Sequence, residues 1–470
     1  MSATVPSASV RASLEEAVNG GFPRTVADLS ALVRIPSVSW DGFDLAEVDR
    51  SAEAVRALLE GLNVFDRVGV ERAKNPDGTP GRPAVLATRA ARNARPTVLL
   101  YAHHDVQPPG RDEDWDTKPY EPTLRGDRLY GRGAADDKAG VMTHVAAIRA
   151  LTEALGTEPE LGLVAFIEGE EEWGSPSFKD FLVTHRDALA ADAIVVADSG
   201  NWDTETPAIT VALRGNATFV LTIRTLGHAS HSGMFGGAAP DATTAAIKLF
   251  STFWDAHGAV AVPGLASRDA ATPAYPEAKL REEAALLDGV SPIGRGEILA
   301  RIWNQPAITV TGIDVPSVVN ASNTLTPSIR AKVSVRIAPG QRAEDAFAAV
   351  RAHLEANAPW GAELAFDEIS LGEPFLVDTS AELVGVAKDA MAESWGRAAV
   401  EQGIGGSIPF IAELVEVFPS AQILVTGVED PDSRAHSPNE SLHLPTLRRT
   451  ILAEGLFLAA LDGRKTASEA

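Results

Sequence analysis

Four short apolar runs in this chain stop at histidine or carboxylate side chains, and that feature limits the fold more than any other. PTVLL leads into YAHHDVQP at residues 101–108, LGLVAFI (161–167) ends in EGEEEWGS, AIVVA (193–197) ends in DSG, and QILVT (422–426) leads into GVEDPDSRAHSPNE. Each run has the β-branched and apolar content of a strand covered on both faces. Between them, DKAGVMTHVAAIRALTEAL sets Val141, Val145, Ile148, Leu151 and Leu155 at helical spacing. Strand and helix alternate, which predicts an α/β fold with a mostly parallel sheet flanked by helices. In such sheets ligands bind outside the carboxyl ends of the strands, where all four polar clusters fall.

The middle of the chain has a different rhythm. ATFVLTIRT (217–225) and IRAKVSVRI (329–337) alternate apolar and polar residues, as half-exposed antiparallel strands do. At 470 residues two domains are expected. We read 1–206 with 372–470 as a discontinuous catalytic domain and 207–371 as an inserted α+β domain, with a long Pro/Gly/Ala-rich excursion near 258–295. A net charge of −23 argues against a nucleic-acid or anionic-membrane partner. With no signal-like N-terminus and no apolar stretch of membrane-spanning length, a cytoplasmic location is the expectation.

The polar residues at the strand ends are His103 and Asp105, Asp136 in YGRGAADDKAG, Glu171 and Glu172, Asp198, and His436 in RAHSPNE. The chain has no cysteine, so a bound metal must rest on imidazole and carboxylate. This set suits a pair of divalent ions, with Asp136 bridging, Glu172 and His436 completing one group and His103 and Asp198 the other. The three carboxylates leave a net positive charge that favours a bound hydroxide over water. Asp105 would accept the second N–H of His103 and fix its tautomer. Glu171, beside a ligand, would take the proton from water.

Rival readings are weaker. Asp136 stands where a dinucleotide fingerprint in GRGAAD would need Gly. EGEEE by itself reads as a solvated acidic turn. HASHSG sets a serine beside His231 without the Gly-x-Ser-x-Gly elbow of a serine hydrolase. His104, His144, His185, His257, His353 and His443 have no motif around them, and ordinary packing or exposure accounts for each.

The succession YAHHDVQP, YGRGAADDKAG, EGEEEWGS, DSG, HASHSGMFGG, IRAKVSVRIAPGQ, GGSIP and AHSPNE resembles the M20 family of metallopeptidases, in particular its dipeptidase and carnosinase-like branch. The resemblance covers the chain from about residue 30 onward. It implies a catalytic α/β domain with a dinuclear zinc or manganese site and an inserted lid that also serves in dimerisation. By motif position it implies His103, Asp136, Glu172, Asp198 and His436 as metal ligands, Glu171 as general base and Asp105 behind His103. In the lid, His231 resembles the family histidine that crosses from the partner subunit to stabilise the oxyanion. Arg336 resembles the residue that holds the substrate carboxylate through a planar fork. Asn323 and the Gly406–Ser407 turn are further substrate-binding positions. Ala102, His104 and Ala139 depart from the family pattern without touching a ligand, whereas Trp173 and the missing Arg before GGSIP fall near the expected cleft. The family's cis peptide would fall at Asp136–Asp137.

The expected activity is cleavage of the amide bond of dipeptides, or of similar small amides with a free carboxylate, by a homodimer joined through the lid and carrying two Zn²⁺ or Mn²⁺ ions. An N-acyl-amino-acid amidohydrolase would use the same ions and Arg336 with an apolar acyl pocket. A metal-dependent binding protein without turnover would have no use for Glu171. The native metal, the side-chain preference and the physiological substrate are left open at this level.

Overall fold

Thr97–His103 is a strand buried at every position after its first, as a run with no polar residue before its end must be. In the computed structural model, which describes residues 6–406 and 409–464, it lies between parallel neighbours Gly162–Glu168 and Ala193–Val196. Ala193–Val196 pairs in parallel with Gln422–Val425. Antiparallel strands continue the sheet, Ala84–Arg89 and Arg67–Glu71 on one side and Ala208–Leu213 on the other. The fold is therefore α/β with a parallel centre. Because those central strands run the same way, their carboxyl ends, and the residues that follow them, come to one edge.

The helix Lys138–Leu155 has sharp ends. Asp137 caps it by accepting from the Gly140 amide at 3.2 Å, and Gly156 closes it in the left-handed region at φ 65°. Val141, Val145, Ile148 and Leu151 are all buried, and the helix packs against Ala8–Val33, Leu444–Asp462 and the strand Thr97–His103.

The chain forms two compact units. The first comprises Met1–Val211, Val377–Gln402 and Glu413–Ala470; the second comprises Ala212–Leu376 and Gly403–Ala412. Gly403–Ala412, which includes Gly406, goes with the second unit because Arg214 holds it there, its Nε donating to the Gly405 carbonyl at 3.1 Å. That unit is built on an antiparallel sheet of order Ala307–Asp314, Ser328–Ile337, Gly215–Arg224, Glu363–Gly372. Its core gathers Phe219, Leu221 and Ile223 with Val333, Val335 and Ile337. Helices Ala242–Phe250 and Ala343–Ala356 add Leu249, Val350 and Leu354 to the same core. The alternate residues Arg330 and Lys332 point outward, as the period of two requires. Within 258–295 the chain forms one helix, Glu277–Glu283.

Candidate metal centre

His103, at the last position of its strand, is fully buried between carboxylates. Its Nε2 is 3.1 Å from Asp136 Oδ1 and 4.0 Å from Asp198 Oδ1. On the other side of the Asp136 carboxylate, Oδ2 is 3.0 Å from His436 Nε2, which is also 3.3 Å from Glu172 Oε2. Two donor groups result, His103–Asp136–Asp198 and Asp136–Glu172–His436, with the ligand atoms of each inside 4.8 Å of one another. They share Asp136. The peptide between Asp136 and Asp137 is cis.

The surroundings fix these side chains. Asp105 Oδ1 lies 3.3 Å from His103 Nδ1, and the Asp105 carboxylate also accepts from the Ser39 hydroxyl (2.7 Å) and from the backbone N–H groups of Glu171 (3.2 Å) and Glu172 (3.0 Å). One buried aspartate thus orients an imidazole and sets the turn that carries both glutamates. Gln107 donates to Glu172 through its side chain at 2.6 Å and its backbone at 3.2 Å, and the Trp40 indole donates to the Glu172 carbonyl at 3.1 Å. Asp137 Oδ2 accepts from the His103 amide at 3.1 Å, joining the strand end to the helix start.

Glu440 does similar work from another loop. Its buried carboxylate accepts from Arg132 (2.6 Å) and from the amides of Gly133 (3.1 Å), Ala135 (2.9 Å) and Asp136 (3.1 Å). It therefore ties the loop bearing Asp136 to the loop bearing His436. Sequence reasoning missed Glu440, Gln107, Trp40 and Ser39. The first two lie inside quoted motifs, AHSPNE and YAHHDVQP, but their partners are far away in the chain.

Charge in the cluster is lopsided. Among the described residues no lysine or arginine pairs with Asp105, Asp136, Glu171, Glu172 or Asp198; their only ion-pairing partners are imidazoles. Burial pushes Glu171 and Glu172 well above the usual carboxylate range, with Asp198 adding to the effect on Glu171 and Asp136 to that on Glu172. Burial carries Asp198 up to about 6 despite the pull of His103. Burial would raise Asp136 too, but hydrogen bonds to His103 and His436 hold it below its ordinary value. Burial would lower His103, yet Asp105 and Asp136 hold it well above the usual histidine value. So many buried oxygen donors with so little cationic charge fit divalent metal ions by their own chemistry. His104, by contrast, is a packing residue: it is buried, its Nε2 faces the Pro83 carbonyl at 2.9 Å, and burial takes it down to about 4.

The remaining expected residues lie in the second unit. His231 is exposed in a two-residue strand opposite Thr324, and its Nδ1 accepts from the Gly233 amide at 3.0 Å. Asn323 adjoins it, its carbonyl accepting from the Ser232 amide at 2.9 Å. Arg336 is half-buried on the outer face of the four-stranded sheet, and Gly406 is half-buried. Ser407 lies outside the described residues. Trp173, in the first unit, lies under the Arg82 guanidinium at 4.5 Å.

The chain is also similar to known proteins along most of its length. The chain is 33% identical over 416 residues to the cysteinylglycine-S-conjugate dipeptidase of Corynebacterium striatum, covering 87% of this chain and 89% of that protein. It is 27% identical over 463 residues to the Cys-Gly metallodipeptidase dug1 of Schizosaccharomyces pombe, covering 93% and 95%. The crystal structure of human carnosine dipeptidase 1 shares the fold with a TM-score of 0.75 at 24% identity, over 97% of this chain and 99% of that one. Residues 99–458 match the sequence profile of peptidase family M20/M25/M40, and this chain belongs to that family.

Proposed function

We propose that the chain is a dinuclear metal-dependent dipeptidase, cleaving the amide bond of dipeptides or similar small amides that carry a free carboxylate. The observation that carries this reading is the pair of donor groups sharing Asp136 with Glu171 beside them. His103, Asp136 and Asp198 would hold one ion, and Asp136, Glu172 and His436 the other. Two divalent ions bound there would polarise the scissile carbonyl and acidify a water molecule. Zn²⁺ and Mn²⁺ both suit a donor set of imidazole and carboxylate.

The protein's own groups do the rest. Glu171 takes a proton from the attacking water and returns it to the leaving amine nitrogen. Asp105 keeps His103 in one tautomer and keeps the Glu171 turn in place. Arg336 grips the substrate carboxylate bidentately, with Asn323, Gly406 and Ser407 contributing to recognition of the peptide backbone. His231 supplies a donor to the oxyanion from a second subunit, which makes the active form a homodimer joined through the second unit. Exposed Met234, Phe235, Val318 and Val319 give that unit the apolar surface a partner copy would cover. No helix among the described residues is long and apolar enough to cross a membrane. A cytoplasmic location is part of the proposed reading.

An N-acyl-amino-acid amidohydrolase is the less favoured reading, because the relatives above are named dipeptidases. A panel of dipeptides, including Cys-Gly and β-Ala-His, assayed beside N-acyl amino acids with metal-stripped and Zn²⁺- or Mn²⁺-reloaded protein separates them. Dipeptide hydrolysis that disappears on chelation and returns with the ion supports the proposal. Turnover of N-acyl amino acids alone, or full activity in verified metal-free protein, refutes it.

A further inference from the structure

The second unit contains a cavity of about 460 Å³ that none of the roles above uses. It lies beside the edge strand Ala307–Asp314, and its wall includes Trp254, Val260, Leu286, Ile298, Ile302 and Thr309. Small-molecule sites commonly have about 300–1,000 Å³ of mainly apolar lining with a few polar groups, and this cavity has that character. Its main polar feature is cationic. Arg214 borders it, buried, with Nε on the Gly405 carbonyl (3.1 Å) and Nη1 at 3.5 and 3.4 Å from the carbonyls of Arg301 and Gln305. No carboxylate pairs with Arg214 among the described residues.

A second such cation stands next to it. Ala307 lines the cavity and is the direct partner of Arg336 across the antiparallel ladder. Directly opposed residues have Cβ atoms about 4.5–5.5 Å apart, so the Arg336 side chain leaves the sheet at the cavity rim. Arg336 also makes no ion pair among the described residues. Arg214 feels this neighbour: burial first, and then the Arg336 charge, bring it down to about 10. Like charges without a counter-ion beside an apolar chamber are unfavourable, and a bound anion with an apolar body relieves both defects.

We infer that this cavity binds a small organic carboxylate with a bulky apolar body, its head at Arg336 and Arg214 and its body among Trp254, Val260 and Ile302. Resting on the proposed dipeptidase reading, that body is the side chain of the substrate's carboxyl-terminal residue. Peptides ending in a large apolar residue are then preferred over peptides ending in glycine.

The test is calorimetric titration of the full-length, metal-loaded protein with 3-phenylpropionate, beside acetate as head alone and 3-phenylpropanol as body alone. Saturable binding of phenylpropionate at least about tenfold tighter than either control is expected. Thr309→Trp introduces an indole from an exposed strand position and should weaken that binding at least about tenfold; Arg214→Met should do the same by removing the charge. Melting curves check that both variants fold. The ratio of kcat/KM for peptides ending in Phe to those ending in Gly should be at least about ten, and should drop in Thr309→Trp. Phenylpropionate binding no tighter than acetate, or binding that Thr309→Trp leaves untouched, overturns the inference even if dipeptides are hydrolysed. Thr309-dependent binding in a protein that hydrolyses no dipeptide sustains the cavity and sinks the peptidase.

Discussion

Glu171 and Glu172 are neighbours in one short helical turn, with different proposed tasks. Glu172 is gripped by Gln107 and faces His436, whereas the Glu171 carboxylate accepts no hydrogen bond from the described residues. Glu171→Gln is expected to keep both metals while kcat drops by at least ~10². Glu172→Gln should lose metal; metal analysis giving the reverse would shift the assignment by one residue. Glu440→Gln puts an amide N–H against backbone N–H donors, so the loop carrying Asp136 loosens and metal affinity should fall by about 10–100-fold in a calorimetric titration. Unchanged affinity would confine Glu440 to folding. A pH effect arises at a residue that is not a proposed ligand: His144 Nδ1 faces Glu454 at 2.9 Å and Nε2 faces the Tyr101 carbonyl at 3.0 Å. Burial lowers the His144 value, but Glu454 outweighs it and the net shift is upward from 6.5. A histidine raised in the folded state stabilises fully below its unfolded value and loses that contribution as pH climbs through the folded one. Glu454→Gln should therefore cost about 1.5–3 kcal/mol near pH 6, the scale of a hydrogen bond to a charged group, and progressively less above pH ~6.5, read from melting curves across pH; a cost independent of pH would mean His144 stays neutral. At this scale His103, Asp136, Glu171, Glu172, Asp198 and His436 were legible because they end apolar runs or sit in polar motifs. Glu440 was not, since its role is defined by what it touches.

Among the elements, the helix Lys138–Leu155 depends on one close approach. A Cβ on Gly140 would meet the Ala197 carbonyl oxygen at 2.6 Å and also the Asp137 carboxylate, so this turn of helix can rest on the strand end only with glycine. Gly140→Ala is expected to cost about 1–3 kcal/mol by overpacking and to lower the melting temperature. It should also weaken metal binding, because the helix start carries Asp136 and the strand end leads to Asp198. A variant as stable as the parent would show that the helix can shift without harm. The sequence marks this helix well, with Val141, Val145, Ile148 and Leu151 at the right spacing and Gly156 at its end. The central strands are equally plain: LGLVAFI and QILVT lie within one residue of Gly162–Glu168 and Gln422–Val425. Less legible are the antiparallel strands at the sheet's flank. Arg67–Glu71 is half-exposed with mixed polarity, so its place is set by pairing with Ala84–Arg89 and not by its own pattern.

For the whole molecule, the strongest expectation concerns subunit exchange. If His231 serves the partner's centre while Glu171 serves its own, inactive Glu171→Ala and His231→Ala proteins should rescue each other when mixed. Random exchange makes half the dimers mixed, and each mixed dimer has one site with both residues intact, so about a quarter of all sites should recover. Verified heterodimers as inactive as their parents would mean that His231 acts within its own subunit or not at all. The α/β class could be read from alternation along the chain. The return of Gly403–Ala412 to the second unit could not, because it depends on Arg214 reaching a carbonyl 191 residues further on. The grip of Glu440 on the Asp136 amide spans still more, 304 residues. On a ribosome that span is a clock: Asp136 emerges early, but Glu440 and His436 follow only after the main segment of the second unit, Ala212–Leu376, has been made. The donor set therefore cannot close on a nascent chain before that segment exists.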